Sequence, residues 1–251
     1  MKKYYLCLSF ILAIFIIVSC ETTLGPNELG GTTDLELTKI GNEFGISLSL
    51  GGKYEPALSN LKDSIVIIKN NGGIVTFKGI FTIDENSLKK IDTLLGTHNL
   101  PESGKRAIFD YYKEKYGITI DTSNKQKLMA ELQLKLKITS DGIQDFVHSK
   151  GDESKPFTIM KYSAKIGDKY EFTTKDGKKI TRTVVSVHTT EDWELGFILV
   201  KTTRVEQDTP DDPITKKITY IGNHKYGLVG LIVETKDGRV IKTTIMPWSV
   251  L

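Results

Sequence analysis

The chain has 251 residues, with 34 Lys and Arg against 31 Asp and Glu, a formal charge of +3, and two cysteines. The charges are interspersed and form no basic stripe, which excludes nucleic-acid binding driven by charge. Cys7 and Cys20 both lie near the amino terminus. A domain beyond them therefore has no disulfide, thiol nucleophile or Cys-ligated metal, and its length suffices for it to rest on its own core.

Lys2 and Lys3 precede an apolar run from Tyr4 to Val18, and the polar Glu21-Thr22-Thr23 follow closely. The run is too short for a helix that crosses a bilayer, which needs about 20 apolar residues. It reads as a secretory signal over residues 1–19. Ile17-Val18-Ser19-Cys20 resembles the lipobox of bacterial lipoproteins, and that resemblance implies cleavage before Cys20 and acylation of its sulfur. It also implies an envelope location with the membrane as partner. Glu21, where an Asp would favour inner-membrane retention, points to the outer membrane. Loss of Lys2 and Lys3 leaves a mature chain of formal charge +1. Residues 20–35 are rich in Gly and Thr and are expected to form a flexible tether after the lipidated Cys20. A β-rich globular domain is expected over 36–251, with a possible sub-boundary near 150.

Gly45–Leu50 alternates as a strand does. Ser64–Lys69 and Ile74–Thr82 flank Asn70-Asn71-Gly72-Gly73, which reads as a hairpin. Two amphipathic helices are expected next. The first carries Leu88, Ile91, Leu94 and Leu95 on one face, with Asp84 or Asn86 as cap and Gly96 as stop. The second starts near Pro101, presents Ile108, Tyr111, Tyr112 and Tyr116, and ends at Gly117. Both are expected to pack on a sheet. From Leu128 to Ile138 the period changes to two, a long half-buried strand that turns at Asp141-Gly142. Strands then dominate. One hairpin turns at Asp176-Gly177 and another at Asp237-Gly238, and both are expected to be type I′ turns. Leu195–Glu206 is expected as one strand, and with Ile214–Gly222 it flanks an acidic loop at Gln207–Pro213. The fold class is α+β and mostly antiparallel β: a large curved sheet or half-barrel with the two helices packed on it.

The stretches KYSAKIGDKYEF, KKITRTVVSV and YIGNHKYGLVG, in this order behind a lipobox, resemble a group of uncharacterised lipoproteins of Bacteroidota-type bacteria. The resemblance covers roughly the last hundred residues. It implies an envelope address and a β-rich domain, and carries no activity.

Candidates for chemistry are few. His98 and His148 have no acidic or His partner at ligand spacing. His188, Glu191, Asp192 and His224 would form a zinc or general-base site if their two loops met; otherwise they are turn residues. Asp208, Asp211 and Asp212 offer oxygens for calcium without a known spacing. Trp193, Trp248, Tyr162 and Tyr170 would form a sugar-stacking platform if exposed, and core packing is the competing reading. There is no phosphate-binding Gly loop and no serine nucleophile elbow, so no cofactor, metal or catalytic residue is assigned and the chain is read as non-enzymatic. Lipidation at Cys20 is the one assigned site. The expected role is a binding module for protein or glycan. The alternative is a carrier that holds a hydrophobic ligand in a half-barrel cavity, and the more distant one is a hydrolase built on His188 and His224.

Overall fold

A computed structural model describes residues 27–50, 53–55, 65–83, 89, 92–93, 95–121 and 128–249. The described residues form sixteen strands: β1 (Glu43–Leu50), β2 (Lys53–Glu55), β3 (Ile65–Asn71), β4 (Ile74–Ile83), β5 (Thr119–Asp121), β6 (Leu128–Thr139), β7 (Gly142–Asp145), β8 (Phe157–Lys161), β9 (Lys169–Thr173), β10 (Lys179–Val187), β11 (Trp193–Leu195), β12 (Ile198–Val200), β13 (Thr203–Asp208), β14 (Thr215–Asn223), β15 (Gly227–Thr235) and β16 (Val240–Pro247). The helix α1 spans Glu102–Tyr116.

Fourteen strands join in one sheet, in the order β8-β7-β6-β4-β3-β1-β16-β15-β14-β13-β10-β9, with β2 on β1 and β5 on β6. All pairings are antiparallel, and β1 runs beside β16, so the two ends of the domain meet in mid-sheet. Both sides of residue 150 feed the same sheet. Its last strands, β8 and β9, approach each other and leave a nearly closed barrel. The period-two pattern of β6 explains the inside: Leu132, Leu134, Leu136 and Ile138 point inward while Lys135 and Lys137 alternate outward. Leu136 and Ile138 join Ile67, Val75, Phe157, Ile159 and Val184 in the main core.

Side chains close the seam where a ladder would otherwise run. The Asn27 amide donates to Glu171 O on β9 at 2.6 Å and accepts from Thr158 N on β8 at 3.4 Å. Gln144 Nε2 donates to Asn27 O at 2.6 Å. Leu29 is buried, and Thr32 exchanges hydrogen bonds with Ser140. Residues 27–35, expected as part of the tether, lie on the barrel instead. Residues 20–26, Cys20 among them, are outside the described residues.

The predicted hairpin of β3 and β4 is present, with Asn71 opposite Ile74 and positive φ at both Gly72 (56°) and Gly73 (87°). The two Asp-Gly turns differ from expectation. Gly177 N donates to Thr174 O at 3.0 Å while Thr174 N donates to Lys178 O at 2.9 Å, and Gly238 repeats this with Thr235 and Arg239. Each is a three-residue connection ending in a left-handed glycine rather than a type I′ turn.

The strand expected over Leu195–Glu206 is broken. Its first part belongs to a separate hairpin, β11 and β12, which turns at Gly196-Phe197 and covers the sheet's outer face. Of the two expected helices, α1 is where the sequence put it, ending at Gly117 in a left-handed conformation. For the first, Lys89, Asp92, Thr93 and Leu95 are helical, whereas Leu88, Ile91 and Leu94 lie outside the described residues. The expected packing of α1 on the sheet is corrected below.

Candidate functional site: a capped apolar cavity

No residue of α1 is fully buried. An amphipathic helix normally buries its apolar stripe against a core. Here the stripe faces a cavity of about 860 Å³ between the helix and the inner wall of the barrel. Ile108, Phe109, Tyr112 and Tyr116 form its roof. Leu132, Leu134 and Leu136 of β6, Ile159 of β8, Ile218 of β14 and Leu231 and Val233 of β15 form its walls. A smaller void of about 90 Å³ shares Leu132, Leu134, Leu136 and Leu228 and leads toward Phe44 and Phe77. Asp92, Glu102, Lys105 and Arg106 ring the opening, and Lys105 pairs with Asp92 at 2.8 Å and Glu102 at 3.3 Å. The volume is within the usual range for ligand sites, which are mostly apolar with a few polar groups.

One acidic residue fastens the roof. Asp212, buried in the β13–β14 loop, accepts from Tyr112 Oη at 2.6 Å and Lys115 Nζ at 2.7 Å. It also accepts from Thr215 N at 2.8 Å. Burial opposes its ionisation, but the Lys115 and Tyr112 bonds prevail and hold its carboxyl below the ordinary range. Desolvation in the same cluster pushes the Tyr112 and Tyr116 hydroxyls up.

The floor holds a buried cation. Arg182 is 1% exposed and pairs with Asp145 at 2.6 Å. Its Nε donates to Gln207 Oε1 at 2.8 Å, Nη1 to the carbonyls of Phe157 and Thr158 at 3.2 Å, and Nη2 to Tyr220 Oη at 3.2 Å. The rings of Phe157 and Tyr220 flank the guanidinium. With every N–H engaged, Arg182 ties β10 to β7 and β8 across the seam. Asp145 and Tyr220 show one face of this network to the cavity. His148 packs beside it against Phe157, and burial lowers its pKa to about 4 against the pull of Asp145.

Of the residues singled out from sequence, the structure brings His188 and Asp192 together. Among the described residues no three His, Cys, Asp or Glu side chains gather around a common point. Asp192 accepts from Thr202 and Arg204 and lies 3.5 Å from His188, which makes it a loop brace. His224 is exposed. Asp211 pairs with Lys178, and Asp208 ends β13. The stacking platform is also overturned: Trp193 and Tyr170 are buried, Tyr162 packs in the core, and Trp248 alone is exposed. Arg182, Asp145 and Asp212 have the structural roles that the sequence reading missed. A signal existed, because Arg182 shares the period-two face of Ile180 and Val184, and Asp145 that of Ile143. Compared with protein-family models, curated proteins and solved structures, the chain matches none.

Proposed function

We propose that this chain is a lipid-anchored envelope protein that holds an elongated hydrophobic ligand beneath α1. The apolar cavity carries the reading. A helix that shields its greasy side with empty space leaves apolar surface unburied, and each methylene of a guest that fills it gains about 0.8 kcal/mol. At roughly −0.3 kcal/mol per atom, a guest of ~20 heavy atoms reaches ~−6 kcal/mol, a Kd in the tens of micromolar. The charged ring at the opening suits an amphiphile whose tail enters and whose polar end stays outside. Anchoring through Cys20 keeps such a carrier in the envelope, where amphiphiles of this kind are exchanged. The chain acts as a binding protein, and its histidine loops serve the fold.

Titration of the purified mature protein with N-phenyl-1-naphthylamine tests this. Probe fluorescence should rise, and long-chain fatty acids or phospholipid should displace it. Leu134→Trp with Leu231→Trp fills the cavity with apolar volume and should weaken the probe at least tenfold while circular dichroism stays unchanged. Equal binding by the folded variant would refute the reading.

A further inference from the structure

Strand directions give the barrel two distinct ends. At one, α1 and the loops at 174–178, 207–213 and 235–239 surround the cavity opening. These loops carry Lys175, Asp176, Asp211, Lys236 and Asp237, and the exposed apolar residues nearby are Leu100 and Phe109 of the α1 region, Val240 at the start of β16 and Met129 near the start of β6. At the other end, beside the polar hairpin turns of β3–β4, β6–β7 and β14–β15, lie the turns before β1, before β9 and after β16, and the insertion between β10 and β13. Each of these four connections lifts a large apolar side chain into solvent: Ile40 at 65% exposure, Ile166 at 67%, Trp248 at 58% and Phe197 at 108%. Leu199 adds a further half-exposed side chain beside Phe197.

Two of these are neighbours. The Trp248 indole lies over Gly45, within 2.5 Å of where a Cβ would stand. Gly45 pairs with Met246, and the Met246 side chain lies under Gly196 at the tip of the β11–β12 hairpin. Directly opposed residues are about 5 Å apart, so Phe197 and Trp248 rise side by side from the outer face where it meets this end of the barrel. The hairpin itself is rigidly seated: Trp193, Leu195 and Val200 are buried beneath it, and Trp193 Nε1 donates to Val229 O at 3.2 Å. Its tip is thus held out by a packed base.

We propose that this end of the barrel is a bilayer-docking surface, with Ile40, Ile166, Phe197 and Trp248 seated at the lipid interface. The proposal rests on the reading of Cys20 as the lipid anchor. From Cys20 to Asn27 is seven residues, which reach at most ~25 Å. An anchored barrel therefore stays at the surface, and one of its faces must meet headgroups. Apart from the adjoining Phe197, Leu199 and Trp248, these side chains stand on separate loops and present no single continuous patch of the kind a protein partner needs. A fluid bilayer accepts them without matching shape, and Trp is enriched at membrane interfaces. The cavity opening, at the opposite end, then faces the aqueous phase.

The test uses the full mature protein in vesicles of phosphatidylethanolamine and phosphatidylglycerol with brominated acyl chains, compared with unbrominated ones. Bromine should quench the Trp248 share of emission by at least half. Trp248→Phe should abolish that loss, since Trp193 is buried under the hairpin. Phe197→Ser with Ile166→Ser should reduce it while leaving the unbrominated spectrum unchanged. Mass of the amino-terminal peptide reports Cys20 acylation separately. Acylated protein without Trp248-dependent quenching overturns the docking surface and leaves the anchor standing. Quenching of mature protein whose amino-terminal peptide carries no acyl mass supports the surface and overturns the anchor. Self-association with Trp248 unquenched overturns the proposal in favour of a second copy.

Discussion

Arg182→Met should be among the most damaging single substitutions in the barrel. It removes the cation that faces Asp145 at 2.6 Å and strips donors from Gln207, Tyr220 and the carbonyls of Phe157 and Thr158. Breaking one side of a buried ion pair costs about 3–5 kcal/mol, mostly because the remaining charge is left uncompensated. With a urea m-value of about 2–3 kcal/mol/M, the unfolding midpoint should fall by about 1–2 M. Asp145→Leu should cost a similar amount, since it strands the guanidinium. The double variant removes both charges, so its loss should be close to that of the larger single and well below their sum. Urea unfolding of the four proteins measures the cycle. Additive losses, or an Arg182→Met cost under about 1 kcal/mol, would show that the seam is closed by something other than this pair.

Gly177→Val and Gly238→Val should each lower stability by about 1–2 kcal/mol in the same assay, because a β-branched residue is strained at φ of 81° and 88° although both sites are sterically open. His148 is neutral in the fold at pH values where the unfolded chain binds a proton. Its contribution is therefore complete above pH 6.5 and is lost as pH falls from 6.5 toward 4, by about 2–3 kcal/mol in all; His148→Gln should flatten the stability profile over that window. Asp212→Ala should free α1, raising amide exchange in 102–116 by about ten- to a hundredfold, as expected for loss of charged hydrogen bonds, while β6 and β14 keep their protection.

The parts of the fold legible in the sequence are those that a local period or stop signal fixes. β6 announces itself by strict alternation, α1 by Pro101 and Gly117, and the hairpins by their Gly and Asp-Gly turns. What was not legible depends on residues far apart in the chain. Leu195–Glu206 has strand composition throughout, yet it divides because Trp193, Leu195 and Val200 find a second apolar surface on the outside of β14–β16. Gly- and Thr-rich 27–35 has tether composition, yet Asn27 supplies the hydrogen bonds that the β8–β9 seam lacks. The cavity was legible only as an alternative, since the stripe on α1 looks the same whether it meets a wall or a void. Its depth is set by how Asp212 holds the helix off the sheet, a contact 100 residues distant from Tyr112.

Native mass spectrometry of the protein, purified gently from the cells that express it, tests the central claim most directly. The account predicts a bound species of lipid-like mass, beyond the acyl groups on the chain, that dissociates intact on activation and is lost in the Leu134→Trp, Leu231→Trp variant. A protein that carries only its own covalent mass, or a bound species retained unchanged when the cavity is filled, would contradict it.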